Sequence, residues 1–233
     1  MTFSIVGHCP DTGMFGVAIS SSSPAVAARC SFARAGVGAV ATQNVTDPRL
    51  GPHALDLMAR GASPREALAI LERSGSHMAF RQVLAVGRSG ESAIYSGTEV
   101  LGMWSEAQGR DTAAAGNLLA DAGVPEVMVQ HFSNTEGHLG ERLVGALRAG
   151  LDAIRMLQGF TWDTQQSAWL INHQKIRIRV ENGQKRLSRR IVDKRSWGGL
   201  VHARLIAGFA KNKRRGKCRA FQNPNQMEPI KVL

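Results

Sequence analysis

The chain has 233 residues, 43% of them hydrophobic, and a formal net charge of +11. That length fits one compact domain with a sizeable core, and no run of about eighteen apolar residues is present to cross a membrane. The charge is unevenly placed: residues 183–233 carry +12, residues 1–182 carry −1, and the first lysine is Lys175. A boundary therefore falls near Gly183, separating a nearly neutral domain, 1–182, from a basic C-terminal extension, 183–233. No basic stretch followed by an apolar one opens the chain, so no classical secretory signal is expected. Cys9, Cys30 and Cys218 are odd in number and form no CxxC pair. That argues against a disulfide framework or zinc knuckle and points to a reducing cytoplasm.

In chain order, Phe3, Ile5 and Gly7 alternate with Thr2, Ser4 and Val6, the period of a strand. Asp11-Thr12-Gly13 is turn chemistry, and FGVAIS reads as the second strand of a hairpin. GVGAVATQN, Gly36 to Asn44, is a third strand, small on both faces and hence buried. PHALDLMARG is a short helix closed by Gly61. Ser63-Pro64 supplies an N-cap and first-turn proline for a second helix through Arg73, with Glu66 at the capping-box position. FRQVLAVGRSGESAIYSG makes two strands around Ser89-Gly90. Apolar residues at helical spacing over 124–151 predict two helices, split at Glu136-Gly137. SAWLINHQKIRIRVENG closes the domain as two more strands. Strand hairpins with helices between them predict antiparallel sheets covered by helices.

TFSIV, the TG turn, GVAIS, ARAGVGAVATQN, LGP, AAGNLLA and RLVGALRAG, in that order, resemble a bacterial family of unknown function, DUF1028. The resemblance covers residues 2–151, and 164–182 more loosely; no family motif is seen in 183–233. It implies the N-terminal-nucleophile (Ntn) hydrolase superfamily, and with it an α+β, four-layer αββα sandwich of two antiparallel sheets. It names no substrate.

The resemblance gives the N-terminus a chemical reading. An enzyme of that superfamily attacks with the hydroxyl or thiol of its first residue, using the free α-amine as general base. Such an amine titrates at about 7.7–8.0, so much of it accepts a proton near neutral pH. Removal of Met1, which a small second residue permits, would expose both groups on Thr2. The plain alternative is that small residues are common at position two. By position in the strand order, the resemblance makes Arg34 the basic residue that lowers the nucleophile's pKa, although a guanidinium supplies potential without deprotonating. Alternatively, Arg34 pairs with a carboxylate at the sheet edge. The backbone N–H groups of Gln43 and Asn44 are the candidate oxyanion hole. Asn117 resembles the polar strand end that borders such sites. In Ser20 to Ser23 a carboxylate of the proteasome-like branch is missing, leaving Ser22 as a hydrogen-bond partner.

Other signals carry less. His8 and Cys9, adjacent in a strand, point to opposite faces and make a poor ligand pair. His131 and His138 read as solvated helix-surface residues, and Trp162 and Trp169 as core or interface aromatics. GVG and GRSG lack the GK[ST] of a phosphate loop, so no cofactor or metal is expected. The basic runs KRLSRRIVDKRSW and AKNKRRGKCR suit phosphate backbones; a solvated, disordered extension or a non-native stretch reads equally from composition. Two functional classes stay open. One is a cytoplasmic, homo-oligomeric amidohydrolase cleaving a small amide or peptide bond through Thr2 and an acyl-enzyme. The other is a non-catalytic binding or assembly protein on the same scaffold.

Overall fold

The computed structural model describes residues 1–23, 25–157, 175–181, 186–191 and 201–206. Its opening hairpin is β1 (Thr2–Cys9) and β2 (Met14–Ser21). Gly13, at φ +66°, takes the left-handed conformation the turn requires and donates its N–H to the Cys9 carbonyl. A short helix α1 (Val26–Cys30) and strand β3 (Ser31–Arg34) follow, neither expected from the sequence. The expected third strand is thus the fourth, β4 (Gly38–Asn44).

Helices α2 (Leu50–Ala59) and α3 (Pro64–Ser74) come next. At α3 the predicted capping box is present, with Ser63 Oγ accepting from the Glu66 N–H and Glu66 accepting from the Ser63 N–H. Strands β5 (Arg81–Gly87) and β6 (Ser92–Ser96) form the expected pair. Residues 97–111, where no strand was expected, contain β7 (Ser105–Gly109), which pairs with β8 (Thr112–Asn117). Helices α4 (Val124–Asn134) and α5 (Leu139–Leu157) flank Gly137, whose φ of +115° is hostile to other residues and ends the helical run. Of the two closing strands, β9 (Lys175–Glu181) is present; the other falls at 167–174, outside the described residues, as do Trp162 and Trp169. Strands β10 (Arg186–Ile191) and β11 (Val201–Ile206) lie within the basic extension.

The strands form two sheets, ordered β10-β11-β9-β2-β1-β8-β7 and β3-β4-β5-β6. All pairings are antiparallel except β9 with β11. Two chain reversals, β9 to β10 and β10 to β11, return β11 to the direction of β9, so their contact is parallel.

Side-chain alternation divides the core into layers. Phe3, Ile5, Met14 and Ala114 pack under α4 and α5 with Phe132, Leu143 and Leu147. Val40, Val83 and Ala85 pack under α2 and α3 with Leu55 and Leu68. Val6, Phe15, Val17, Ala39, Ala41, Leu84 and Ala115 fill the space between the sheets. The architecture is therefore the expected α+β sandwich, αββα in layer order. Among the described residues no helix is long and apolar enough to cross a membrane. Cys9 is disulfide-bonded, which the cysteine pattern did not lead one to expect, whereas Cys30 is a free buried thiol.

Candidate functional site

The interlayer is apolar in its middle and polar at both ends of β1. Thr2, Ser4, Val6 and His8 share the face of β1 that looks at the second sheet, because Val6 lies in the intersheet cluster and the period is two. Thr2 stands at the start of a central strand, opposite Ser21 on β2 and Asn117 on β8. Its Oγ1 lies 2.8 Å from Ser21 Oγ.

Behind Thr2 the wall of the interlayer is made of carboxamides. Ser4 Oγ donates to Gln43 Oε1 at 2.6 Å. Gln43 Nε2 donates to Gln82 Oε1 at 2.7 Å and to the Ala115 carbonyl at 3.1 Å. Asn117 Nδ2 donates to the same Gln82 oxygen at 3.3 Å, and Gln82 Nε2 donates to Ser96 Oγ at 3.0 Å. Ser96 donates in turn to Glu106 Oε2 at 2.6 Å. Ser4, Gln43, Gln82 and Asn117 are all buried. Buried amides need partners to offset desolvation, and a connected set holds each one in a single orientation.

The structure brings together some of the expected residues and separates others. Thr2 and Asn117 are cross-strand neighbours. The Gln43 side chain belongs to the wall, and β3 stops pairing with β4 at Ala41. Residues 42–44 therefore pair with β5 and have no β3 residue opposite them. Asn44 ends β4 at φ +69°. It donates to the Phe80 carbonyl at 2.6 Å and accepts from the Leu101 N–H at 3.3 Å, pinning the β6–β7 loop.

Arg34 is not brought to Thr2. It shares a face with Phe32, which packs in the helical layer, and it bonds Asp56 Oδ1 on α2 at 2.8 Å. This is the carboxylate pairing rather than the catalytic placement. Ser22 is exposed, with its N–H directed at the Met1 carbonyl at 3.4 Å; the hydroxyl facing Thr2 is its neighbour Ser21. Alternation from Val17 through Ile19 identifies Ser21 from sequence. Gln82 carries no motif, and its role emerges from sheet stacking alone.

The other end of β1 is ionic. His8 Nδ1 lies 2.7 Å from Asp111 Oδ1, and its ring stacks on Phe15 with centroids 4.6 Å apart. Asp111, at φ +65°, also donates its N–H to the Gly90 carbonyl, tying two hairpin turns to β1. Arg142 lies over the Phe132 ring, 4.0 Å from its centroid. Burial lowers its pKa, against a rise from Asp111 and Asp11. His138 is buried rather than solvated, and desolvation brings its pKa down to about 4. His131, also expected to be solvated, is half-buried, its ring beside Gly145 of α5. Among the described residues no three His, Cys, Asp or Glu side chains gather as metal ligands.

Layer order and interlayer chemistry define a four-layer α+β sandwich whose β1 start is lined by hydroxyls and carboxamides. The chain belongs to DUF1028, a family of unknown function, whose model matches residues 2–193. It is similar to the crystal structure of a DUF1028 protein from Silicibacter pomeroyi, at 28% sequence identity and a TM-score of 0.63 over 65% of this chain and 70% of that one. No curated protein matches the chain.

Proposed function

We propose that the protein is an Ntn amidohydrolase that cleaves a small amide or peptide bond through Thr2. The observation that carries this reading is the seat of the Thr2 hydroxyl: at a central strand start, on the interlayer face, between Ser21 and Asn117, with a buried carboxamide wall behind it.

The chemistry follows from that seat once Met1 is removed. The Thr2 amine takes the hydroxyl proton as Oγ1 bonds to the substrate carbonyl carbon. The C–N bond breaks, the proton passes to the leaving nitrogen, and the acyl group remains as an ester on Thr2. Water then cleaves the ester, releasing a carboxylic acid and restoring the hydroxyl. Burial already lowers the pKa of the Met1 amine. The same desolvation acting on a Thr2 amine would leave more of it as free base near neutral pH. Asn117 and the backbone of residues 42–44 are the donors we assign to the developing oxyanion. Arg34, held by Asp56, takes no part. The outer helical layers are where we expect a second copy to pack.

A specific observation favours a second reading, a non-catalytic binding or assembly protein. Met1 packs against the α4/α5 core, and its carbonyl faces the Ser22 N–H, so it contributes to the fold as it stands. Intact-mass analysis decides between the two. The enzyme reading expects loss of Met1 and an ester adduct on Thr2 with activated amide or ester probes. Retained Met1 with no adduct supports the binding protein.

A further inference from the structure

Six large apolar side chains are exposed among the described residues: Val45, Phe80, Leu101, Met103, Trp104 and Leu118. All six gather at the Thr2 end. Val45 follows Asn44 at the end of β4, Phe80 precedes β5, and Leu118 follows Asn117 at the end of β8. Leu101, Met103 and Trp104 belong to the β6–β7 loop, which bridges the two sheets there. The Leu118 and Leu119 N–H groups bond the Leu101 and Met103 carbonyls at 3.0 and 2.8 Å, while Asn44 holds the Leu101 N–H from the other sheet. The loop is therefore fixed at both margins. Its apolar side chains are presented to solvent on a braced backbone, beside a mouth whose wall is polar.

Apolar surface concentrated at one place marks contact with something apolar. Here it is continuous with the candidate site through two chain steps, Asn117 to Leu118 and Asn44 to Val45. We propose that Leu101, Met103, Trp104 and Leu118 form a shelf for an aliphatic or aromatic acyl group. The substrate class is then an amide of an apolar carboxylic acid several carbons or one ring in size. This rests on the Thr2 reading above. The acyl side, rather than the leaving amine, is assigned because it stays on Thr2 through both half-reactions, so contact with it serves acylation and deacylation alike.

The test separates the shelf from the nucleophile. Using full-length protein, kcat/KM is measured for p-nitroanilides of acetic, butyric, hexanoic, octanoic and phenylacetic acids. It should rise about threefold per added methylene up to hexanoyl, with phenylacetyl well above acetyl. Leu101→Ser/Trp104→Ser, both exposed and tolerant of polar replacement, should flatten that slope. Binding is read independently of turnover in Thr2→Ala, by the change in Trp104 fluorescence, defined against Trp104→Phe, as hexanamide and acetamide are added. Hexanamide should bind at least tenfold more tightly. A flat acyl series with an active Thr2 overturns the shelf alone. If no anilide is cleaved but hexanamide still binds selectively, the shelf stands as a binding surface and the nucleophile fails. Equal binding of the two amides, or a Leu101→Ser/Trp104→Ser variant that changes only a dimer mass by light scattering, overturns the shelf and makes the patch an interface between copies.

Discussion

Strand β1 runs between two polar clusters made of unlike materials. At its start stand hydroxyls and carboxamides, Thr2, Ser21, Asn117, Gln82 and Gln43, under an exposed apolar rim. At its finish stand charged and imidazole groups, His8, Asp111, Arg142 and His138, with two hairpin turns tied to β1 through Asp111. Neutral amides fix geometry without responding to pH, as suits a wall behind a reacting group. The His8–Asp111 contact fastens the turns to β1, and burial lowers the pKa of His138.

The comparison breaks most visibly at Thr2. Thr2→Ala should lower turnover at least about a thousandfold while the thermal midpoint stays within about 2 °C, since a small half-buried side chain is lost. Asp111→Asn should leave turnover within twofold; an equal loss in both variants would mean the two ends are one functional unit. In the parent protein, the rising limb of the pH–rate profile should have its midpoint below the ordinary α-amine value of about 8, consistent with desolvation of that amine.

Next in size is the carboxamide wall. Gln82→Ala deprives both Gln43 and Asn117 of their shared acceptor and leaves a cavity. Urea unfolding should register a loss of about 3 kcal/mol, nearly independent of pH between 5 and 8. Finding less than about 1 kcal/mol would show that the wall is not a connected unit.

The opposite end should answer to acid instead. His138 has its folded pKa lowered from 6.5 to about 4 by burial, with Nδ1 accepting the Gly140 N–H at 3.1 Å. Its neutral form is therefore favoured in the folded state. The contribution is complete above pH 6.5 and is lost as pH falls towards 4. Between pH 7 and 4.5 the loss should come to about 2–3 kcal/mol, and His138→Gln should remove most of that slope. The smallest effect belongs to the α3 cap, where Ser63→Ala should cost about 1 kcal/mol with turnover unchanged, a reference for stability loss remote from Thr2.

What could be read from the sequence was what repeats locally. The Ser63-Pro64-Glu66 cap, the Gly13 turn and the β1 alternation are written in adjacent residues, and the layers follow from them. The site was legible in part. Thr2 and Asn117 meet as expected, but Arg34 was misplaced because α1 and β3 intervene and alternation with Phe32 turns it towards α2. Ser21 was passed over for Ser22, a matter of which parity faces inward. Strand β7, SEAQG, has weak strand propensity and exists through pairing with β8. Gln82 and His138 depend on contacts between segments distant in sequence, which no local pattern encodes.

The two flanking strands around Thr2 have one more consequence. Chain ends ordinarily fray, and exopeptidases take advantage of it. Here residue 2 already has a strand partner on either side, Ser21 and Asn117. An aminopeptidase that removes Met1 would next have to peel β1 from the middle of its sheet, drawing Phe3 out of the core. Trimming should therefore stall at Thr2, and the sheet itself would define which residue becomes the N-terminus.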